Sequence, residues 1–186
     1  MKIGVLAVQG AFIEHEKVLA RLGVQSVELR QKSDINDSLD GLILPGGEST
    51  VQGKLIKELG MFESLREMIS AGVPTLATCA GMILLAEKIE GQSETYFGTL
   101  PVTVKRNAYG RQLGSFHTKG EFKTVGTVPM TFIRAPYVTK VSPGAEITAE
   151  VDGKIVGVKY KNQIAVSFHP ELDDDTRIHE VLIHIG

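Results

Sequence analysis

Four apolar runs constrain this chain more than any other feature: KIGVLAV (2–8), DGLILPGG (40–47), GVPTLAT (72–78) and QIAVSFHPEL (163–172). Each is too short for a long helix, and DGLILPGG ends in proline and two glycines, as a strand buried on both faces does before a tight loop. Amphipathic stretches separate them. Phe12, His15, Val18, Leu19 and Leu22 recur at helical spacing until Gly23 stops the helix. VQSVELR (24–30) alternates as a strand, Ser49 or Thr50 is placed to cap a helix after the second run, and Phe62, Leu65, Met68 and Ile69 predict a helix over 61–70. Strand and helix in alternation imply a mostly parallel sheet with helices on both faces. Ligands of such sheets bind outside the carboxyl ends of the strands, so the loops after Leu44 and Thr78 belong on one edge.

Residues 90–163 differ in character, with turn dipeptides, alternating Thr and Val, and spaced glycines in YGRQLGSFHTKGEFKTVG, which predict a small antiparallel extension. DDDTRIHEVLIHI (173–185) reads as a closing helix with acidic residues at its positive end. No repeat, low-complexity tract or linker divides the 186 residues, so a single domain over 1–186 is expected.

Twenty Lys and Arg nearly balance twenty-two Asp and Glu. That balance argues against nucleic acid or an anionic membrane as partner. No apolar run reaches the roughly 18 to 20 residues of a membrane span, and MKIGVLAVQG lacks a signal-peptide pattern. One cysteine cannot form an internal disulfide, so a cytoplasmic location is expected.

That cysteine, Cys79, lies in TLATCAGMILLA, at the turn from a buried strand into an apolar segment of helical character. A sharp turn there lifts the side chain above the sheet, and a helix N-terminus favours a thiolate. Ala77 and Gly81 keep the elbow small, in the manner of the nucleophile elbow G-x-S-x-G. A buried cysteine filling a core is the competing reading. In VSFHPEL, His169 follows a buried strand and should emerge on the edge that carries Cys79, and Glu171, two residues on in an extended chain, would share its side. The carboxylate could then hold His169 Nδ1 and leave Nε2 to exchange a proton with the thiol. The alternative is an acidic helix start with an incidental histidine.

LPGGEST (44–50) supplies two glycines after a buried strand, so the N–H of Gly47 and that of Ala80 could face a developing oxyanion. A plain strand-ending turn is the alternative, and the stretch lacks the spacing of a phosphate loop. Arg106 in VKRNAYGRQ and Arg134 in FIRAPY each follow an alternating strand and could clamp a carboxylate, though from sequence alone an ordinary surface role is the first reading of each. His15, His117, His179 and His184 show no metal-ligand spacing, and no metal is expected.

LILPGGEST, TLATCAGMILLA, VKRNAYGRQ, FIRAPY and AVSFHPEL, in this order over nearly the whole chain, resemble a class I glutamine amidotransferase, a flavodoxin-like fold. Within that class the chain is similar to the glutaminase subunit of pyridoxal 5′-phosphate synthase, which PGGEST and RAPY favour. Ala77 stands where the class usually has glycine. The resemblance implies that Cys79 attacks the side-chain amide of L-glutamine, His169 relays protons and Glu171 orients it. It also implies that Gly46, Gly47, Glu48, Arg106, Ile133 and Arg134 surround the substrate, that no cofactor is needed, and that the ammonia passes to a separate synthase subunit. Gln9, Gly10 and Glu14, on the same edge, are candidates for contact with that partner. Other readings kept open are a glutaminase serving another synthase and a non-enzymatic redox sensor built on Cys79.

Overall fold

The computed structural model describes residues 1–106 and 115–185. Chain order begins with β1 (Lys2–Leu6), α1 (Phe12–Arg21), β2 (Gln25–Leu29), β3 (Gly41–Leu44), α2 (Ser49–Glu58), α3 (Phe62–Ser70), β4 (Thr75–Thr78) and α4 (Ala80–Leu85). It continues with β5 (Ala86–Ile89), β6 (Leu100–Lys105), β7 (Ser115–Phe122), β8 (Gly126–Ile133), β9 (Tyr137–Val141), β10 (Glu146–Val151), β11 (Lys154–Tyr160), β12 (Gln163–Val166) and α5 (Arg177–His184).

One sheet takes in all twelve strands of the described residues. Its first five, in the order β2-β1-β3-β4-β12, run parallel. The side chains alternate across it as the period of an extended chain demands. Leu42, Leu44, Ala77 and Ala165 face one core with α2, α3 and α4, which contribute Ile56, Leu65 and Met82. Ile43, Leu76, Ile164 and Val166 face the other, closed by Leu19 of α1 and Leu182 of α5. Helices therefore cover both faces, as the alternation of runs implied.

The antiparallel extension begins at β11, which pairs with β12, and continues through β10, β7 and β8, while β9 links β11 to β6. It folds back over the carboxyl edge of the parallel strands: the His169 amide donates to the Thr131 carbonyl of β8 at 2.8 Å.

Three local expectations are corrected. The closing helix starts at Arg177 rather than 173, because Asp175 turns the chain by accepting from the Arg177 amide at 3.0 Å. Neither Ser49 nor Thr50 caps α2, which begins after Glu48 with no side-chain cap. The Ser49 hydroxyl is engaged by the Arg106 guanidinium instead. Finally, Glu171 does not follow His169 in extended chain; Pro170–Leu172 form one 3-10 turn with His169 at its head. Proline at the first position of that turn needs no N–H donor and suits its φ.

Candidate active site

In-register pairing of Thr78 with Val166 sends the chain off β4 and β12 at the same level, so Cys79 and His169 emerge together. Leu44 pairs with Ala77, which brings Gly46 and Gly47 alongside. Cys79 occupies a left-handed backbone conformation (φ 50°, ψ −106°) between β4 and α4. Few residues other than glycine adopt it, and strain of this kind costs about 1–3 kcal/mol. Its amide is fixed by the Val166 carbonyl at 2.8 Å. Gly81 is required two residues on, because a Cβ there would enter the Leu44 carbonyl of β3. Ala77, buried between β3 and β12, fits without conflict.

His169 is buried, with Nδ1 2.6 Å from Glu171 Oε1. Burial by itself would lower its pKa, but hydrogen bonds to Cys79 and Glu171, with the charges on both, raise it from 6.5 to about 10. The imidazole is thus protonated at neutral pH, set between a sulfur and a carboxylate. Cys79 Sγ also lies 3.8 Å from the Ile133 carbonyl, a long contact for a thiol donor. A thiol, an imidazole and a carboxylate therefore stand in a buried line, an arrangement in which a nucleophile, a proton carrier and an orienting group can act.

The line ends in a cavity of about 270 Å³, at the small end for ligand pockets. Gly46, Gly47, Glu48, Cys79, Ala80, Arg106, Ile133, Arg134 and His169 all contribute to its wall. Glu171 stands behind His169 and does not. Gly46 has to be glycine, since a Cβ there would overlap the His169 ring. The Gly46 carbonyl accepts from the Ala11 amide at 3.0 Å, so in the planar peptide the Gly47 N–H points away from α1. Ala80 opens α4, where an N–H has no partner inside the helix.

Arg106 and Arg134 arrive from the extension, just past β6 and β8. The Arg106 guanidinium is held by Ser49 and, at 3.2 Å, by the Tyr96 hydroxyl. Its buried Nε has no partner among the described residues. Arg134 lies 3.7 Å from Glu48 across the exposed rim. Of VKRNAYGRQ, the residues from Asn107 onward, and with them the head of YGRQLGSFHTKGEFKTVG, lie outside the described residues. Gln9 and Gly10 line the cavity, and Glu14 on α1 does not.

Sequence reasoning named Gln9 only as a partner contact and gave Gln52 and Thr78 no role at this site. Gln9 accepts from the Glu48 amide at 2.8 Å, and buried Gln52 donates to the Gln9 and Pro45 carbonyls at 3.0 and 3.1 Å, fixing the glycine loop. Thr78 accepts from the Gly46 amide at 3.1 Å. His15 and His179, which show no metal-ligand spacing in the sequence, are fully buried with Nδ1 and Nε2 2.8 Å apart. A signal was present: both sit at core positions of amphipathic helices, where a titratable group must find partners. His117 and His184 are exposed, bonded to Asp173 at 3.2 Å and to the Glu180 carbonyl at 2.7 Å.

With this geometry in hand, kinship is decided by a match of residues 5–185 to the SNO glutamine amidotransferase family. The chain belongs to that family. Among the relatives of this SNO family member, the pyridoxal 5′-phosphate synthase subunit PdxT of Desulfitobacterium hafniense is 65% identical over 183 residues, covering 98% of this chain and 92% of the relative. The subunit of the same name from Streptococcus pneumoniae is 54% identical, covering 100% and 97%. A solved crystal structure of a glutamine amidotransferase superposes with a TM-score of 0.93 at 40% identity, covering 98% and 97%.

Proposed function

We propose that this SNO family member hydrolyses L-glutamine to L-glutamate and ammonia and delivers the ammonia to a synthase subunit that makes pyridoxal 5′-phosphate. The observation that carries the reading is the buried line of Cys79, His169 and Glu171 at the head of a small cavity. The names of the relatives supply the pathway.

The Cys79 sulfur adds to the amide carbon, and the N–H groups of Gly47 and Ala80 receive the charge that develops on oxygen. His169, protonated at rest, gives its proton to the departing ammonia. The neutral imidazole then takes a proton from water, which attacks the thioester and releases glutamate. Glu171 holds the ring so that Nε2 faces the sulfur throughout. Arg106, Arg134 and Glu48 are placed for the charged α-carboxylate and α-amino groups of glutamine, and Gly46 and Ile133 complete the wall. The mechanism asks for no metal or organic cofactor.

The partner reading is supported by apolar side chains left exposed on the edge around the cavity. Ile13 lies in the first turn of α1, Val51 in the first turn of α2, Ile133 lines the mouth and Leu172 lies three residues past His169; all are exposed. Docking there would also meet Gln9 and Gly10. We read residues 1–186 as one amidotransferase domain, consistent with its single sheet. A cytoplasmic location fits the lone unpaired cysteine, and no helix among the described residues is long and apolar enough to cross a membrane.

The test measures glutamate release from the isolated chain and from the chain mixed with a pyridoxal 5′-phosphate synthase subunit, with wild type and Cys79→Ala. Weak turnover alone and stimulation by the partner are expected, with none from the variant. Turnover surviving in Cys79→Ala would refute the nucleophile, and equal rates with and without the partner would refute activation by docking.

A further inference from the structure

We propose that His15 is a positioning residue, its Nε2–H holding the second carboxylate oxygen of Glu171 and, with Thr78, tying that carboxylate to the Gly46 loop. The inference rests on the triad reading above and deepens it.

Glu171 spends Oε1 on His169, while Oε2 is buried and has no hydrogen-bond partner among the described residues. A carboxylate with one oxygen unmet in an apolar interior is costly to keep ionised and free to rotate. The group that faces Oε2 is His15 Nε2, at 3.5 Å. The same nitrogen lies 3.2 Å from Thr78 Oγ1, which accepts the Gly46 amide at 3.1 Å. On its other side His15 Nδ1 lies 2.8 Å from His179 Nε2 on α5, the rings 5.1 Å apart.

The tautomer follows from counting donors. With the proton on His15 Nε2, the N–H faces both Thr78 Oγ1 at 3.2 Å and Glu171 Oε2 at 3.5 Å, and His15 Nδ1 accepts from His179 Nε2–H. That leaves unmet the lone pair of His179 Nδ1, which has no partner among the described residues, and the hydroxyl hydrogen of Thr78, whose oxygen then accepts from both His15 and Gly46. With the proton on Nδ1 instead, a lone pair would face the carboxylate and a buried N–H of His179 would go unmet, a costlier pair of faults. Both rings remain neutral: burial and then the neighbouring His179 and His169 lower His15, and burial and then Arg21 lower His179 to about 4. The hydrogen bond therefore has a fixed direction, from α5 through α1 to the turn that carries Glu171.

His15 lies outside the cavity wall, so it touches neither substrate nor sulfur. Its effect should fall on kcat and leave KM for glutamine nearly unchanged. The experiment compares His15→Leu, His15→Gln and His15→Asn in glutamine hydrolysis with the synthase partner present, following each variant's thermal unfolding. Leucine removes the donor; glutamine places Nε2 near the position of the lost imidazole Nε2; asparagine is too short. We expect kcat to fall about 10- to 100-fold in His15→Leu, the range for a hydrogen bond to a charged group, and His15→Gln to recover most of it. If His15→Leu does not fold, His15→Gln against His15→Asn decides, with the glutamine variant expected at least fivefold faster. Equal kcat in the Gln variant and the Leu or Asn variant, or a loss confined to KM, overturns the proposal. Cys79→Ala run in parallel separates the two levels: activity there sinks the triad itself, whereas a dead Cys79→Ala beside an unaffected His15→Leu sinks only the role of His15.

Discussion

His169 Nδ1 and Glu171 Oε1 meet at 2.6 Å inside a single 3-10 turn, both residues buried. The turn sets the two residues side by side, so the charge on Glu171 acts on His169 at close range. Replacing it by its neutral isostere, Glu171→Gln, retains the shape and removes the charge. We predict a fall in kcat of about 10²-fold or more, the usual scale of a general acid–base contribution, read in the glutamate-release assay with the partner present. A loss below threefold would show that His169 is held by packing alone.

The protonated state of His169 depends on two neighbours, so it should respond to either. In wild type its imidazole should titrate near pH 10 by NMR, against an ordinary value of 6.5. In Cys79→Ala, where the hydrogen bond and the charge of the sulfur are gone, the midpoint should drop. The sign for stability follows: a raised folded-state pKa contributes stability fully present below about pH 6.5 and lost as pH rises through about 10. Cys79→Ala should therefore lose less stability than wild type between pH 7 and 10. An unchanged midpoint in the variant would contradict this assignment.

His179 behaves oppositely. Burial and then Arg21 lower its pKa from 6.5 to about 4, so the unfolded chain binds the proton first. Stability is present above pH 6.5 and is lost as pH falls through about 4, amounting to roughly 3 kcal/mol at 1.36 kcal/mol per unit. Urea unfolding at pH 7 and pH 4 should show this loss in wild type and a smaller one in His179→Leu. Equal losses would place the acid sensitivity elsewhere.

Ala77 is the one departure of the elbow from its class. Its methyl is buried between Leu44 and Ala165. Ala77→Gly should cost about 1–2 kcal/mol through backbone entropy and lost burial while leaving kcat within twofold. Gly81→Ala, driving a Cβ into the Leu44 carbonyl, should cost more, about 1–3 kcal/mol, and reduce kcat by moving Cys79. Unfolding midpoints and rates for the pair would reveal whether the elbow tolerates change on its strand side only.

Much of this protein was legible in its residues because short-range physics decided it. Apolar runs of strand length between amphipathic segments require a parallel sheet with two covered faces. Small residues around Cys79 require an elbow, and in-line runs place that elbow and His169 on one edge. Local sequence misjudged what depends on a competing partner. Asp175 delayed α5, Arg106 claimed the Ser49 hydroxyl, and Pro170 turned the chain that reading by period two had extended. What only the tertiary structure decided is which buried polar groups face one another. His15, Thr78, Glu171 and His179 come from four segments as far as 164 residues apart, two of them histidines in apolar helix faces. No periodicity encodes their contact, because a hydrogen bond 2.8 Å long is set by how α1 and α5 pack on the sheet, whereas a hydrophobic pattern specifies only which face turns inward.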